Sequence, residues 1–581
     1  MTDRASPLPA TWIPRDLYKG PAQPEPGVLK LDGNEGNPPP RALLEDLATA
    51  DLSKVRDYPD ARPLESDIAE RLGMDPARVV VTAGADEALD RVFRTFLAPG
   101  RRLVLPVPAF EMMYRFAAVV GGEIAPVPWT DAFPTDEVIA ALDDVVSLIA
   151  MISPNNPTGR TATASDLERV AAAASDVNSG AAFGAMVILD HAYVEYSDQD
   201  LTSVAQQFDN VVTVRTFSKA WGLAGCRVGY AVASPEVATV LRNVGSPFPV
   251  AGLSLAAVRA QLSTGEAALE QHVAAVCAGR ERLIETLNGL GIETGPAEGN
   301  FVLGDFSARC DFILNGLDAL GVRVRRFPHR PEIADKLRIT VPEQAEPLER
   351  LLETLRSCLA PDALLFDLDG VIADVEDSYR RCVLKTAATF GVEVTRKELT
   401  TMVLAGDANN DWVLTQRLLA GRGVEVSLDG VTEAYQKIYL GTPDTPGLRE
   451  SENLLVPRDV LSRLADRLPL AIVTGRPREE AEWFLDKEGL SDLFRAVVCM
   501  EDGPLKPDPA PVREAASRLG VQRTWMVGDT PDDIRAAVGA GAVPIGIVAP
   551  GPDPTASAAA LRDTGAATVL GAIDDLLELL P

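Results

Sequence analysis

The sequence predicts an α/β protein built from two units in series, and three observations carry that expectation. Short β-branched runs alternate with longer helical stretches along most of the chain. A length of 581 residues exceeds what one hydrophobic core serves. Two unrelated groups of polar residues, one at Ser218-Lys219 and one at Phe366-Asp367-Leu368-Asp369-Gly370, follow apolar runs far apart in the chain.

Residues 1–40 are rich in Pro and Gly, with Pro7, Pro9, Pro14, Pro21, Pro24 and Pro38 to Pro40 among them, which suits an extended arm. Residues 41–360 form the first unit. Its strand runs are Val79 to Val81, Leu148 to Ile152, Met186 to Leu189 and Val211 to Val214, with a helix from Ala85 to Leu97 after the first and a closing helix from Ala345 to Leu359. Pro361-Asp362 leads into the second unit, residues 361–581, whose strands are Ala363 to Phe366, Leu470 to Val473, Thr524 to Val527 and Pro544 to Ile547. A mostly helical insertion of about residues 375–466, carrying Trp412, Gln416 and Tyr435, reads as a cap over a site.

A formal net charge of -29 argues against a nucleic-acid partner, which requires clustered Lys and Arg, and favours small diffusible substrates. The six cysteines are scattered without C-x-x-C spacing, which fits a reducing compartment. No stretch approaches the roughly 20 apolar residues of a membrane span, and Met1 to Trp12 lacks a signal pattern, so a cytoplasmic protein with no membrane partner is expected.

Four pieces of the first unit fall at strand ends or in the loops after them, where open α/β sheets bind ligands. Gly84-Ala85-Asp86-Glu87 opens a helix whose free N–H groups and dipole suit a phosphate. Pro154-Asn155-Asn156-Pro157-Thr158-Gly159 is the second. In Leu189-Asp190-His191-Ala192-Tyr193, an Asp at the end of a buried strand requires a partner, and a protonated ring nitrogen is one. Thr216-Phe217-Ser218-Lys219, with Gly225 to Tyr230 after it, supplies an amine, a hydroxyl and the Arg227 guanidinium.

Together these pieces make residues from about Leu31 to Val341 resemble the fold-type I pyridoxal-phosphate aminotransferases, and within them the histidinol-phosphate aminotransferase group. By that resemblance Lys219 carries the cofactor and moves the proton, and Asp190 keeps the ring nitrogen protonated. Ala85, Asp86, Ser218 and Arg227 surround the phosphate, Asn156 and Tyr193 contact the ring hydroxyl, and Phe110 stacks on the ring. Tyr58 matches a tyrosine that crosses from the other subunit, which implies a homodimer. Arg338 matches the carboxylate-binding arginine, Arg325 one that meets substrate phosphate, with Arg323 an alternative to it, and Asn34 belongs to the substrate-contacting start. His191 is either a proton carrier or a packed histidine. The start departs from the family pattern, reading Asn34-Glu35-Gly36-Asn37-Pro38 with an extra glycine, and the arm carries Arg15-Asp16-Leu17-Tyr18.

In the second unit Asp367 and Asp369 lie one residue apart beyond a strand, so both carboxylates can face one pocket, where a cation relieves their repulsion. Val473-Thr474-Gly475-Arg476, Leu505-Lys506-Pro507 and Gly528-Asp529-Thr530-Pro531-Asp532-Asp533 follow in order. This set resembles the haloacid-dehalogenase-like hydrolases from about Ala363 to Leu580, in the branch with a helical cap. The resemblance implies a Rossmann-like domain in which Asp367 attacks phosphorus and Asp369 serves as acid, then base. It also implies Thr474 and Lys506 on the phosphoryl oxygens, and Mg2+ on Asp367, Asp529 and Asp369, the last through its main chain, with Asp533 in support. Trp412 and Arg417 are candidates to select the leaving group, and Arg476 and Arg478 are either substrate contacts or exposed charges.

The expected function is bifunctional: transamination of an oxo compound, best matched by imidazole-acetol phosphate and glutamate giving histidinol phosphate, then phosphate removal, as in histidine biosynthesis. The alternatives are an aminotransferase or decarboxylase of another substrate, with the second unit a phosphatase of unrelated substrate or a regulatory module.

Overall fold

In a computed structural model that describes residues 12–14, 25–177, 184–406 and 409–581, the chain divides into two compact units. The first comprises Met1–Pro26, Lys30–Asp305 and Val324–Glu349, and the second Gly27–Leu29, Phe306–Arg323 and Arg350–Pro581. Most of the arm, including Arg15 to Tyr18, lies outside the described residues.

The first unit is centred on a seven-stranded sheet in the order Val79–Thr82, Gly229–Val232, Val211–Thr216, Met186–Asp190, Val146–Ile152, Arg102–Val107 and Glu123–Pro128. Only Gly229–Val232 runs against its neighbours. The central strands Val146–Ile152, Met186–Asp190 and Val211–Thr216 are buried at every position, as strands covered on both faces must be, which explains their continuous apolar sequence. Two apolar clusters sandwich the sheet: one around Leu89, Val92, Phe93 and Met113, the other around Val104, Trp129, Leu167 and Val170.

Among the strands that the sequence reading leaves out, the two at one side of this sheet have a shared physical reason. Arg102–Val107 carries Pro106 and Glu123–Pro128 carries Pro126 and Pro128, and proline, lacking an N–H, counts against a strand. Glu123–Pro128 is the edge of the sheet, where that loss is tolerated. A smaller antiparallel sheet, ordered Arg325–Arg326, Lys336–Thr340, Phe301–Asp305 and Glu293–Thr294, sets Arg338 in register with Leu303 and Arg325.

The second unit holds a six-stranded parallel sheet in the order Phe494–Val498, Leu470–Val473, Ala363–Phe366, Thr524–Gly528, Val543–Ile547 and Thr568–Leu570. The strands bearing the expected acids, Ala363–Phe366 and Thr524–Gly528, are central neighbours, so Asp367 and Asp529 emerge side by side at their carboxyl ends. The insertion is helical, with Tyr379–Thr389, Asp411–Ala420 and Leu428–Leu440 packing around Ala387, Val392, Leu419 and Val431, and Arg396–Ala405 as a further helix. It leaves and rejoins the sheet through a two-stranded ribbon, Ala373–Asp374 against Asn453–Leu454. The helix Cys310–Ala319 also belongs to this unit, with Phe312 edge-on to Trp525 at 5.0 Å between centroids.

Candidate active sites

In the first unit a cavity of about 210 Å³ opens at the carboxyl ends of the parallel strands. Lys219, Asp190, Phe110, Ser218, Arg227, Asp86, Ala85, Asn156, Tyr193, Arg325 and Arg338 of the expected set line it, and Asn34 and Tyr58 do not. Lys219 Nζ donates to the Gly33 carbonyl at 3.1 Å and sits 5.6 Å from the centre of the Tyr193 ring. The Tyr193 hydroxyl oxygen accepts from Asn34 Nδ2 at 3.1 Å and from Asn156 Nδ2 at 3.4 Å. Two donors on that oxygen leave its own O–H to donate into the cavity.

Asp190 is 4 % exposed and accepts an N–H from Ala192 at 3.1 Å. Burial pushes its carboxyl up to about 7, Asp86 adding to the rise, with the Ala192 N–H and the Lys219 ammonium opposing it. Such a group calls for a cation beside it, and the protonated ring nitrogen of pyridoxal phosphate is of the right sign. At the cavity's other end Arg227, in the left-handed conformation at φ 51°, donates to Ser218 Oγ at 3.4 Å and to Asp86 at 3.1 Å. With the start of helix Gly84–Phe96, this cluster offers donors suited to a phosphate. The residues present therefore fit this cofactor.

Arg338 is buried and donates to Asn156 Oδ1 at 2.7 Å and to the Asp32 carbonyl at 2.6 Å, while its Nε has no hydrogen-bond partner. Both acceptors are neutral, so the guanidinium has the charge and the free donor to suit a carboxylate. Arg325 lines the cavity and pairs with Glu111 at 3.3 Å, whereas Arg323 pairs with Asp318 at 3.2 Å and is not a lining residue. His191 is fully buried, with Nδ1 bonded to the Ser153 carbonyl and Nε2 accepting from the Leu201 N–H at 3.1 Å. Burial, with the Arg215 charge, pulls its imidazole down to about 4, so it packs as a neutral ring. Asn34 does not line the cavity; at φ 54° it is fastened to Thr340 Oγ1, Asn300 and Tyr193 and acts on the cavity through that phenol. Tyr58 is 83 % exposed, stacked on Phe248 at 4.6 Å.

In the second unit a cavity of about 60 Å³ lies between the sheet and the insertion, lined by Asp367, Asp369, Arg380, Asp411, Arg476 and Asp529 among others. Lys506 Nζ is 2.8 Å from Asp367 and 2.5 Å from Asp533, all three buried. Burial pushes Asp367 up to about 7 despite that ammonium. Burial alone would lower Lys506, but the two carboxylates outweigh it and raise its pKa. Asp529 rises well above the usual carboxylate range, through burial first and then the Asp533 and Asp367 charges.

Oxygens of Asp367, Asp529 and Asp533 lie within 4.8 Å of one another, and Asp529 Oδ1 is buried without a hydrogen-bond partner. Hard oxygen donors and an unsatisfied carboxylate fit a divalent cation such as Mg2+. Asp533 is already engaged, Oδ1 by Lys506 and Oδ2 by the Thr530 N–H and hydroxyl, which makes it a support. The Asp369 carboxylate is not part of this cluster and instead accepts from Arg476 Nε at 2.7 Å. Thr474 is buried, its Oγ1 accepting the Arg476 N–H at 3.2 Å.

Several residues here carry no local signal in the sequence. Arg380 and Asp411 come from the insertion, 3.6 Å apart, and Asp411 is pushed up to about 6 by burial. Trp412 lines the cavity beside them, and Arg417 is exposed. Arg476, open to two readings from sequence, is 1 % exposed, while Arg478 pairs with Asp502 and Glu482.

Residues 27–355 match the family aminotransferase class I and II, and residues 361–541 match the haloacid dehalogenase-like hydrolases. The chain is 32% identical to histidinol-phosphate aminotransferase 1 of Trichormus variabilis, over 56% of this chain and 92% of that protein. It is 35% identical to the histidinol-phosphate aminotransferase of Symbiobacterium thermophilum, over 57% and 91%. A separate similarity, 42% over 236 residues, is to an imidazoleglycerol-phosphate dehydratase of Phytophthora nicotianae; it covers 38% of this chain, which spans 52% of that relative's length. In structure the chain is similar to histidinol-phosphate aminotransferase from Sinorhizobium meliloti in complex with pyridoxal-5'-phosphate, with a TM-score of 0.54 and 24% identity over 61% of this chain and 99% of that one, which speaks for the fold. No helix among the described residues is long and apolar enough to cross a membrane. The chain belongs to the aminotransferase class I and II family and carries a haloacid dehalogenase-like hydrolase domain after its aminotransferase domain.

Proposed function

We propose that the protein is a bifunctional enzyme. The first unit transaminates a phosphorylated oxo compound, imidazole-acetol phosphate with glutamate as donor, and the second hydrolyses the phosphate monoester so formed, histidinol phosphate, with Mg2+. One observation carries the reading: each unit holds a complete set of charged groups around its own cavity, one suited to an amine exchange and one to a phosphate ester. The curated relatives named for histidinol phosphate and for another step on an imidazole phosphate support the substrate.

Pyridoxal phosphate, when bound, supplies an electron sink for the α-carbon of the substrate. The chain supplies the rest. Lys219 takes and returns the α-proton at Nζ. Asp190 stabilises positive charge at the far end of the cavity, Ser218 and Arg227 bind phosphate, Arg338 orients a carboxylate, and Arg325 meets the substrate's second anionic group. The apolar surface around Tyr58, with Leu52 80% and Val55 68% exposed, supports a second copy of the chain as its cover and a homodimer as the working form.

In the second cavity Asp367 and Asp529, with the main chain of Asp369, would hold the cation, which neutralises the acids and the phosphoryl oxygens. An Asp367 carboxylate oxygen attacks phosphorus, the bond to the alcohol oxygen breaks, and that oxygen keeps the electron pair and takes a proton from Asp369. Water then attacks phosphorus and gives a proton to Asp369, and the bond to Asp367 breaks, restoring its carboxylate and releasing inorganic phosphate. Lys506 and Thr474 steady the phosphoryl oxygens.

The test is phosphate release from purified protein given glutamate, imidazole-acetol phosphate and Mg2+, in wild type and in Asp367→Asn. The expected result is phosphate from wild type only, with a change in cofactor absorbance in both. A cofactor response without phosphate from wild type would overturn the coupled reading.

A further inference from the structure

The most heavily buried cation of the second unit is Arg476, and the reaction as written makes no use of it. Its guanidinium is fastened on both edges: Nε donates to Asp369 Oδ1 at 2.7 Å, and one Nη donates to Glu452 Oε2 at 2.8 Å. The side chains of Arg476 and Glu452 are fully buried, while that of Asp369 keeps 25% exposure toward the cavity. The guanidinium plane is flanked by Tyr379, 4.4 Å from its ring centre, and Phe484, at 5.5 Å. Removing such a charge from water is costly, so an ordinary loop position does not retain one.

The far side of this ion triad is the insertion. Glu452 stands one residue before the returning strand Asn453–Leu454, and its Oε1 accepts the Tyr439 hydroxyl of helix Leu428–Leu440 at 3.0 Å. Glu480, on the helix Arg478–Lys487, accepts from Tyr379 and, at 2.7 Å, from Gln436 of the insertion. Arg476 therefore joins the expected proton donor to the element that covers it.

We propose that Arg476 is a positioning residue for hydrolysis of the phosphate ester: its fork holds Asp369 by Oδ1, so that Oδ2 faces the leaving oxygen, and Glu452 fixes the fork itself. This rests on the reading of the second site as a phosphomonoesterase. Both ion-pair contacts fall on Oδ1. A carboxyl otherwise free to rotate about its side-chain torsions is held in one orientation while Oδ2 delivers and recovers the proton. A guanidinium serves this where an ammonium does not, because its planar fork defines a direction.

The chemistry provides a readout that a merely structural role would not move. An alkyl phosphate expels a strongly basic alkoxide and requires the proton, whereas p-nitrophenyl phosphate expels a stable phenolate and hardly does. In single-turnover experiments with Mg2+, Arg476→Gln should release histidinol from histidinol phosphate about 10²-fold more slowly than wild type, the low end for general acid catalysis. It should release p-nitrophenolate within about tenfold of wild type, and Asp369→Asn should show the same split. Glu452→Gln should give a weaker version of it, and Arg476→Lys covers the case in which Arg476→Gln does not fold. Equal losses on both esters, or a raised KM with their ratio unchanged, would overturn the proposal. A wild type that cleaves neither ester removes the site reading and the proposal with it.

Discussion

Lys506 Nζ lies 2.8 Å from the Asp367 carboxylate, with both groups buried, and the same ammonium is 2.5 Å from Asp533. One cation thus balances two acids away from water, and removing it strands both. Lys506→Met should destabilise the second unit by about 3–5 kcal/mol, the usual cost of breaking a buried pair from one side. Adding Asp533→Asn should recover part of that loss. Urea unfolding of the three proteins measures both, and a Lys506→Met midpoint equal to wild type would refute the assignment.

The orphaned Asp529 Oδ1 supports a second expectation. A cation that binds only the folded site stabilises it, by about 2.7 kcal/mol at a hundred times the dissociation constant. Adding Mg2+ to chelator-treated protein should therefore raise the unfolding midpoint of the second unit, and Asp529→Asn should abolish the rise. The readout is thermal unfolding and does not depend on turnover. An equal rise in the variant would move the metal elsewhere.

The positions of Lys219, Asp190, Asp367 and Asp529 were legible in the sequence because each ends or follows a short apolar run, and strand ends are where α/β sheets carry their chemistry. Lys506 was legible as a motif, though not its burial between two acids. The environment of Arg476 was not legible: the sequence left it either a substrate contact or an exposed charge, and its burial depends on Glu452, Tyr379 and Phe484, brought from separate elements. The same holds for Arg380 and Asp411, contributed by helices with no periodic signal pointing at a site. In the fold, two-residue strands such as Arg325–Arg326 and Glu293–Thr294 are too short for any pattern to show.

Asp190 gives a pH dependence whose sign can be worked out. Its carboxyl is pushed from 3.8 up to about 7, so the folded protein holds a proton that the unfolded chain has released across that window. Folding stability contributed by this group therefore falls as pH rises from about 4 to about 7. At about 1.4 kcal/mol per unit, the effect is on the order of a few kcal/mol. Cofactor-free protein should lose stability between pH 5 and pH 7 more steeply than Asp190→Asn, as the two urea midpoints would show. Parallel pH curves would mean that the carboxyl is not raised.

The extra glycine at the start of the first unit has a steric cause that predicts its own test. A Cβ built on Gly36 would fall 1.9 Å from the Lys219 carbonyl oxygen and 3.2 Å from Gly222 Cα. Both obstacles are backbone, so no side-chain rotation relieves them, and the segment must move away from the loop that carries Lys219. That segment also holds Asn34, which donates to the Tyr193 hydroxyl, and Gly33, whose carbonyl receives Lys219 Nζ. A displacement of a few tenths of an ångström there misplaces the amine and the phenol together, and catalysis is sensitive to shifts on that scale. Gly36→Ala should lower the rate of amino transfer at least tenfold and alter the absorbance of bound cofactor, with phosphate release unchanged. Gly289→Ala, where an added Cβ meets open space, is the matched control and should leave amino transfer within about twofold of wild type. A Gly36→Ala enzyme as active as that control would show that the close crossing over Lys219 does not constrain the site.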